Sequence, residues 1–398
     1  MHQRHATGRP NAEYLLDYPG YQQAFGLPVE IPDIGSASWH NCPEPQGQSA
    51  EECSVALGRL ITTAVNQIQA ASSPDALIVY IPDRWQWYRG FRNETERFDL
   101  HDFVKAFCVQ RGIPTQFLNQ QTLSKPGQCE VWWWLALALY VKSMRTPWIL
   151  DGMNNDTAFV GVGFSVDTTR ERGSHVILGC SHIYSASGEG LQYRLSKVEQ
   201  PKIVRGNPFM SEDDARRLGE TIRHLFYESR SALPRRVVLH KRTSFRREER
   251  DGLGQGLSGV ESIDMLEIAI DRSMRYVSAH ASGKKADNFP VRRGTTVRLD
   301  DYSALVWVHG VTDAVTPGRR YYQGRRRIPT PLLLRRHAGH TPLGQLAYEI
   351  MGLSKMNWNT FDMYTKLPAT LQSSSEIARI GSLLERFGSA SYDYRLFM

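Results

Sequence analysis

At 398 residues, with 41% hydrophobic and 22% charged side chains, the chain is long enough for two or three domains with ordinary buried cores. Its five cysteines (Cys42, Cys53, Cys108, Cys129 and Cys180) are odd in number, widely spaced and without a CxxC pair. This speaks against a disulfide framework and structural zinc and fits a reducing cytoplasm. A formal net charge of +7 favours polyanions among the partners.

MHQRHATGRPNAEY at the start carries no apolar signal core, and residues 1–50, rich in Pro, Gly and polar groups, read as a lead-in packed on the surface of the first domain. From residue 51 the pattern turns regular. EECSVALGRLITTAVNQIQAA has helical spacing, DALIVYIP is a short apolar run, DLHDFVKAFCVQRG is helical, IPTQFL is a strand and VWWWLALALYVK a helix. That last run is too short to span a membrane, which takes about 20 apolar residues. Helix, strand, helix, strand, helix over residues 51–147 predicts a small doubly wound α/β domain, its ligand site at the carboxyl ends of the strands. The RWQWYRG stretch after the first strand fits either a stacking surface for a nucleobase or an ordinary aromatic surface patch.

Four polar side chains stand out in this segment. His101 and Lys105, spaced i, i+4, share a helix face, Gln116 lies on the following strand, and Lys142 ends the apolar helix. If these elements pack together, two ammonium groups, an imidazole and an amide converge, a set suited to a terminal phosphate.

A different rhythm begins after residue 147. AFVGVGFSV, HVILGCSHIY and GLQYRLSKV predict an antiparallel meander, and SEDDARRLGETIRHLFYESR predicts a helix with Ser211 as N-cap. RRVVLHK is a further strand, and VESIDMLEIAI opens another helix or strand; this order matches an RNase H-like sheet. Two runs are strongly basic: Arg235 to Arg250 carries six arginines and one lysine, and GRRYYQGRRRIPTPLLLRRHAGH carries seven arginines and two tyrosines. They fit either solvated surface segments or a nucleic-acid channel lined by Arg235, Arg236, Lys241, Arg242, Arg325, Arg326, Arg327, Arg335, Arg336 and Lys355.

In order and approximate spacing, the set His101, Lys105, Gln116, Lys142 resembles the guide 5′-phosphate motif of the Argonaute family. GIPTQFL, TPWIL, FVGVGFSV, RRVVLHK, LSKMNWN, LPATL and the terminal YDYRLFM extend the resemblance over residues 75–398, toward the short prokaryotic members that contain only MID and PIWI domains. The resemblance implies a Rossmann-like MID domain over 51–147 and an RNase H-like PIWI domain over 148–398. It also implies a Mg2+ ion in the phosphate pocket, held by a carboxylate at Met398 and by Gln116, hard oxygen donors that suit magnesium.

Slicing members of the family hold two metals with a carboxylate cluster. Here Gly163, Lys241 and Asn357 stand where those ligands are expected, and Glu189, Asp167 and Asp362 do not align as replacements. The resemblance therefore implies a PIWI domain that does not cut. It implies a sensor loaded with guide RNA that recognises complementary target DNA and activates an APAZ-containing partner fused to a TIR, Sir2 or nuclease domain, with oligomerisation on activation. An active guide-directed endonuclease and a stand-alone nucleic-acid-binding protein remain the alternatives. No membrane partner is expected.

Overall fold

The computed structural model describes residues 17–398 apart from 94–95, 125–128, 152–155, 168–174, 184–190, 199, 281, 287–288, 314–317, 319, 323–327 and 385–390. Its contacts divide the chain into two units. One comprises Met1–Pro147, Trp358–Phe361 and Ser382–Met398; the other comprises Trp148–Asn357 and Asp362–Gly381.

The first unit alternates helix and strand as the apolar spacing predicts. A short helix, α1 (Tyr21–Phe25), precedes α2 (Ala50–Ala71), whose N-cap Ser49 accepts a hydrogen bond from the Glu52 amide at 3.1 Å. Leu57, Ile61, Val65 and Ile68 of α2 recur at helical spacing and are buried, each such side chain contributing about 1.5–3 kcal/mol by leaving water. Strand β1 (Leu77–Ile81) turns Leu77, Val79 and Ile81 inward and leaves Ile78 and Tyr80 exposed, the period of two that a half-covered sheet requires.

A 3-10 turn over Asp83–Tyr88 then buries Trp85 and leaves Trp87 82% exposed, so the RWQWYRG stretch is part core and part surface. The hairpin β2 (Gly90–Arg92) and β3 (Arg97–Asp99) leads into α3 (Leu100–Val109), capped by the Asp99 carboxylate. Gly112, at φ +69°, makes the left-handed turn that ends α3. Strand β4 (Thr115–Asn119) runs parallel to β1 and leads through α4 (Gln120–Ser124) to α5 (Cys129–Lys142). The lead-in is tied down more firmly than a surface segment: Tyr18 is buried beside Cys129 and Ala136, its ring edge-on to Trp133 at 5.2 Å.

The second unit is built on a mixed sheet. Strands β5 (Thr157–Asp167), β6 (His175–Ile183) and β7 (Leu191–Val198) form the antiparallel meander. A hairpin of β8 (Lys202–Val204) and β9 (Asn207–Phe209) precedes α6 (Glu212–Arg230), where Ser211 caps the Asp214 amide at 3.1 Å. Strand β10 (Arg236–Lys241) pairs in parallel with β5. After α7 (Arg247–Gly256), VESIDMLEIAI resolves as strand β11 (Ser262–Ile270), parallel to β10. Strands β12 (Thr296–Arg298), β13 (Ser303–Val306) and β16 (Leu332–Ala338) complete the sheet, with β14 (Val311–Asp313) and β15 (Arg320–Tyr322) a separate hairpin. Within this unit the order is β12-β13-β16-β11-β10-β5-β6-β7.

Helices α6 and α7 cover one face of the sheet over Ala158, Val160, Val162, Val237, Leu239 and Met265. They approach closely because Gly219, Gly252 and Gly256 lie between them: a Cβ on Gly252 would stand 2.1 Å from the Glu212 carbonyl oxygen. Helices α8 (Leu343–Leu353) and α9 (Ala369–Leu384) come next in the chain. Among the described residues no helix is long and apolar enough to cross a membrane, and Cys42, Cys53, Cys108 and Cys129 are free thiols.

Candidate functional site

In the first unit, three of the four predicted polar side chains lie in one buried locality with the last residue of the chain. Lys105 is 4% exposed, and its Nζ donates to the main-chain oxygen of Met398 at 2.5 Å. Lys142 is 2% exposed, and its Nζ donates to Gln116 Oε1 at 2.5 Å. Burial, reinforced by the positive charge of Lys105, holds the Lys142 ammonium well below its ordinary range. The two lysines are therefore close enough to repel each other, and an anion between them would relieve both burial and repulsion.

Local sequence explains the placement. Lys105 lies on the face of α3 that carries Val104 and Cys108 into the core, while Lys142 ends an apolar helix whose last turn also buries Val141. His101 sits one turn before Lys105. Its Nδ1 meets Asp102 Oδ1 at 3.1 Å, and its ring lies 5.0 Å from that of Phe117, the residue after Gln116. The imidazole thus edges the lysine site and is half exposed. Met398 reaches Lys105 through an apolar tail: Tyr394, Leu396, Phe397 and Met398 are all buried, with Arg395 donating to Thr146 Oγ1 at 3.2 Å.

In the second unit, two of the positions expected for carboxylates, Gly163 and Lys241, lie on opposite faces of the sheet. Gly163 and His240 share a face of the sheet, since His240 pairs with Gly161 on the neighbouring strand. Lys241 pairs with Val162 and so points to the opposite face, toward α6 and α7. There it is 1% exposed. Its Nζ donates to Glu249 Oε1 at 2.5 Å and lies 4.6, 5.3 and 5.4 Å from the ring centroids of Phe209, Phe164 and Phe245.

On the Gly163 face lies α9. His240 Nδ1 meets Thr370 Oγ1 at 2.9 Å, and a Cβ built on Gly163 would lie 2.6 Å from the Ser374 carbonyl oxygen. Burial, with Arg236 adding to it, pulls His240 down to about 3, so the imidazole is neutral at physiological pH. Asn357 is buried as well. Asp99, His101 and Asp102 at the start of α3 are the sole grouping of three metal-ligating side chains among the described residues, and Asp99 there caps the Asp102 amide.

The proposed channel residues divide sharply. Arg236 donates to Asp264 at 2.8 Å and to Glu349 at 2.5 and 3.1 Å, so it and Lys241 are internal struts without a charge to offer a polyanion. Arg235 is exposed but paired with Glu261 at 3.2 Å. Arg336 donates to main-chain oxygens of Thr341 and Asp301, and half-exposed Arg335 stands 3.7 Å from Glu267. Arg242 and Lys355 are exposed. Arg325, Arg326, Arg327 and Glu189 lie outside the described residues.

A second basic cluster escaped the sequence reading because its members come from separate segments. Arg293 lies 4.3 Å over the Tyr364 ring and donates to Met351 O at 2.9 Å and Ser354 Oγ at 2.8 Å, while the His309 ring stands 5.8 Å from that of Tyr364. Lys366 donates to the Thr330 carbonyl. Burial, then Lys366 and Arg293, pulls His309 down to about 4, and burial pulls Arg293 down to about 10. The arginine pair before Gly294 was the one local hint.

No family model matches the sequence. A curated relative, the Argonaute protein of Aquifex aeolicus (strain VF5), is 23% identical over 285 residues, which is 71% of this chain and 36% of the relative. Among solved structures, Clostridium butyricum Argonaute bound to a guide DNA (5′ deoxycytidine) and a 19-mer target DNA matches with a TM-score of 0.60 at 17% identity, over 87% of this chain and 41% of that one. Aquifex aeolicus Argonaute with externally bound siRNA matches with a TM-score of 0.57 at 21% identity, over 87% and 44%. By sequence and by fold the chain is similar to Argonaute proteins, with a mixed α/β fold consistent with a MID–PIWI arrangement, and it spans less than half the length of these relatives.

Proposed function

We propose that the chain is a guide-dependent nucleic-acid sensor that holds a 5′-phosphorylated guide RNA, pairs it with complementary target DNA, and does not cut. The observation that carries this reading is the pair of buried lysines, Lys105 and Lys142, set beside Gln116 and the Met398 oxygen. A terminal phosphate is a dianion with three strong acceptors, and two ammonium groups with an amide match its charge and hydrogen-bonding capacity. His101 at the edge would meet the first nucleotide. The Clostridium butyricum homologue in its solved complex carries both a guide and a target, which supports the same use here.

The oxygens of Met398 and Gln116 are hard donors of the kind magnesium takes, although in this structure ammonium groups engage both. A phosphate would supply the negative charge a cation needs beside two lysines. A bound magnesium would offset the repulsion between phosphate and a carboxylate at Met398. The guide backbone would pass Arg242 and Lys355 and the cluster of Arg293, His309 and Lys366.

Absence of cutting is supported by Gly163, where the Ser374 carbonyl leaves no space for a carboxylate, and by a neutral, buried His240. A sensor without its own chemistry requires an effector, and we assign that role to an APAZ-containing partner. Measuring affinity for 5′-phosphorylated and 5′-hydroxyl guides, RNA and DNA, tests the pocket. Charge-assisted hydrogen bonds contribute about 1.5–3 kcal/mol each, so replacing both Lys105 and Lys142 by Met weakens phosphorylated guide about 10²–10⁴-fold with little effect on the hydroxyl form. Equal loss on both forms refutes the assignment. Target cleavage by purified protein with guide and manganese would overturn the inactive reading.

A further inference from the structure

The edge of the lysine site holds a buried carboxylate that the phosphate-binding set does not use; the inference rests on the reading that a 5′-phosphorylated guide is held there. Asp102 follows His101 in the first turn of α3, and its side chain is 6% exposed. The helix does not need it as a cap, because Asp99 already accepts from the Asp102 amide at 3.0 Å. A carboxylate taken out of water is costly unless hydrogen bonds meet it, and Asp102 Oδ1 lies 3.1 Å from His101 Nδ1. An ionised carboxylate only accepts, so Nδ1 carries the proton in this pair. The Phe117 ring packs on the imidazole at 5.0 Å, with the two planes 57° apart, and the Phe117 carbonyl accepts from Gln116 Nε2 at 3.0 Å.

We propose that Asp102 is a positioning residue for the guide: by holding Nδ1–H it fixes the orientation and tautomer of His101, and so presents Nε2 to the 5′ nucleotide. The His101 side chain is 39% exposed, and the ring nitrogen that Asp102 leaves uncommitted is the one available to a ligand. Phe117 adjoins Gln116, which accepts from the Lys142 ammonium, and Lys105 lies one turn on from His101. The oriented ring therefore stands at a fixed edge of the lysine site. Without the carboxylate the ring could turn about its Cβ–Cγ bond and exchange the places of its two nitrogens. Each guide would then have to select one arrangement from several, and its affinity would fall by the fraction that is competent.

The test uses the full chain and a guide RNA labelled at its 3′ end, carrying either a 5′-phosphate or a 5′-hydroxyl. Anisotropy titrations compare wild type, Asp102→Ala, Asp102→Asn, His101→Phe and the double variant His101→Phe with Asp102→Ala. Asp102→Ala is expected to weaken the phosphorylated guide roughly tenfold, the lower end of what losing a histidine's hydrogen-bonded partner costs at metal sites. Asp102→Asn, whose amide oxygen still accepts from Nδ1–H, is expected to lose about threefold or less. In the His101→Phe background, Asp102→Ala is expected to add less than about twofold, because the ring it acts through is gone. An undiminished loss in that background, or Asp102→Asn falling as far as Asp102→Ala, overturns the positioning role. Nitrogen-15 histidine spectra at about pH 8, above the ordinary imidazole range, read the tautomer without guide, the His101 signal being identified by its loss in His101→Phe. Wild type is expected to carry the proton on Nδ1 and Asp102→Ala to show a mixture; a wild-type proton on Nε2 overturns the orientation. Wild-type binding that ignores the 5′-phosphate overturns the phosphate reading and this proposal with it, whereas an intact phosphate preference with any failure above overturns the positioning role alone. Thermal melting establishes that each variant is folded, and if Asp102→Ala is not, the wild-type tautomer decides without it.

Discussion

Removing Glu249 is the most direct test of Lys241 as a core strut rather than a channel contact. Glu249 is fully buried, and besides Lys241 it accepts from the amides of Met210 at 3.1 Å and Arg246 at 3.0 Å. Glu249→Ala would leave an ammonium among three phenylalanine rings with the Ser244 carbonyl, 3.4 Å away, as its remaining oxygen acceptor. Breaking a buried pair in this way costs about 3–5 kcal/mol. In a unit of this size that corresponds to a fall in Tm of roughly 6–20 °C.

Lys241→Met leaves a carboxylate still held by two amide donors, and its cost is expected to be smaller, about 1–3 kcal/mol. The pH dependence has a definite sign. Burial already holds Lys241 below its ordinary range, and loss of Glu249, which raises it, lowers it further. The unfolded chain then binds the proton more readily than the folded one, so stability rises with pH and the Glu249→Ala deficit narrows from pH 7 to pH 9. Differential scanning calorimetry of wild type and both variants at the two pH values measures this. A Lys241→Met deficit equal to that of Glu249→Ala, or a Glu249→Ala deficit that widens with pH, refutes the reasoning. Because Lys241 is 1% exposed, Lys241→Met should also leave strand affinity within about twofold of wild type.

The same geometry fixes further outcomes. Gly163→Asp, alone or with His240→Asp, should lower stability by about 1–3 kcal/mol through its clash with Ser374 and yield no target cleavage in manganese, read by melting and by gel. Lys355→Met should reduce the slope of log affinity against log salt for a single strand by about 0.7, whereas Arg236→Met should leave the slope unchanged and lower Tm instead. Arg395→Ala should loosen the tail that brings Met398 to Lys105, increasing hydrogen exchange of residues 391–398 and lowering affinity for phosphorylated guide more than for hydroxyl guide.

Much of the scaffold was legible from local pattern. The helical spacing of α2, the alternation of β1, the Ser211 cap and the i, i+4 relation of His101 and Lys105 each depend on residues a few positions apart, where backbone geometry alone dictates the neighbours. The apolar run of α5 predicted a buried helix with its lysine reaching out, whereas the structure buries Lys142 along with it. Contacts of that range survive any choice of tertiary packing, so a sequence can specify them without reference to the rest of the chain.

Tertiary structure decided the rest. Lys105 and the Met398 oxygen are 293 positions apart, and only the packed tail brings them together. The parity of strand β5 against β10 depends on register: pairing His240 with Gly161 sends Lys241 to the far face, and a shift of one residue would have reversed every assignment. Arg236 and Lys241 looked like channel cations because Asp264 and Glu349 lie far outside the basic run and Glu249, within it, reaches Lys241 only once α7 packs on the sheet. The cluster of Arg293, His309 and Lys366 had no local signature beyond the arginine pair before Gly294, since three separated segments supply it and its charge becomes distinctive only once burial strips away water.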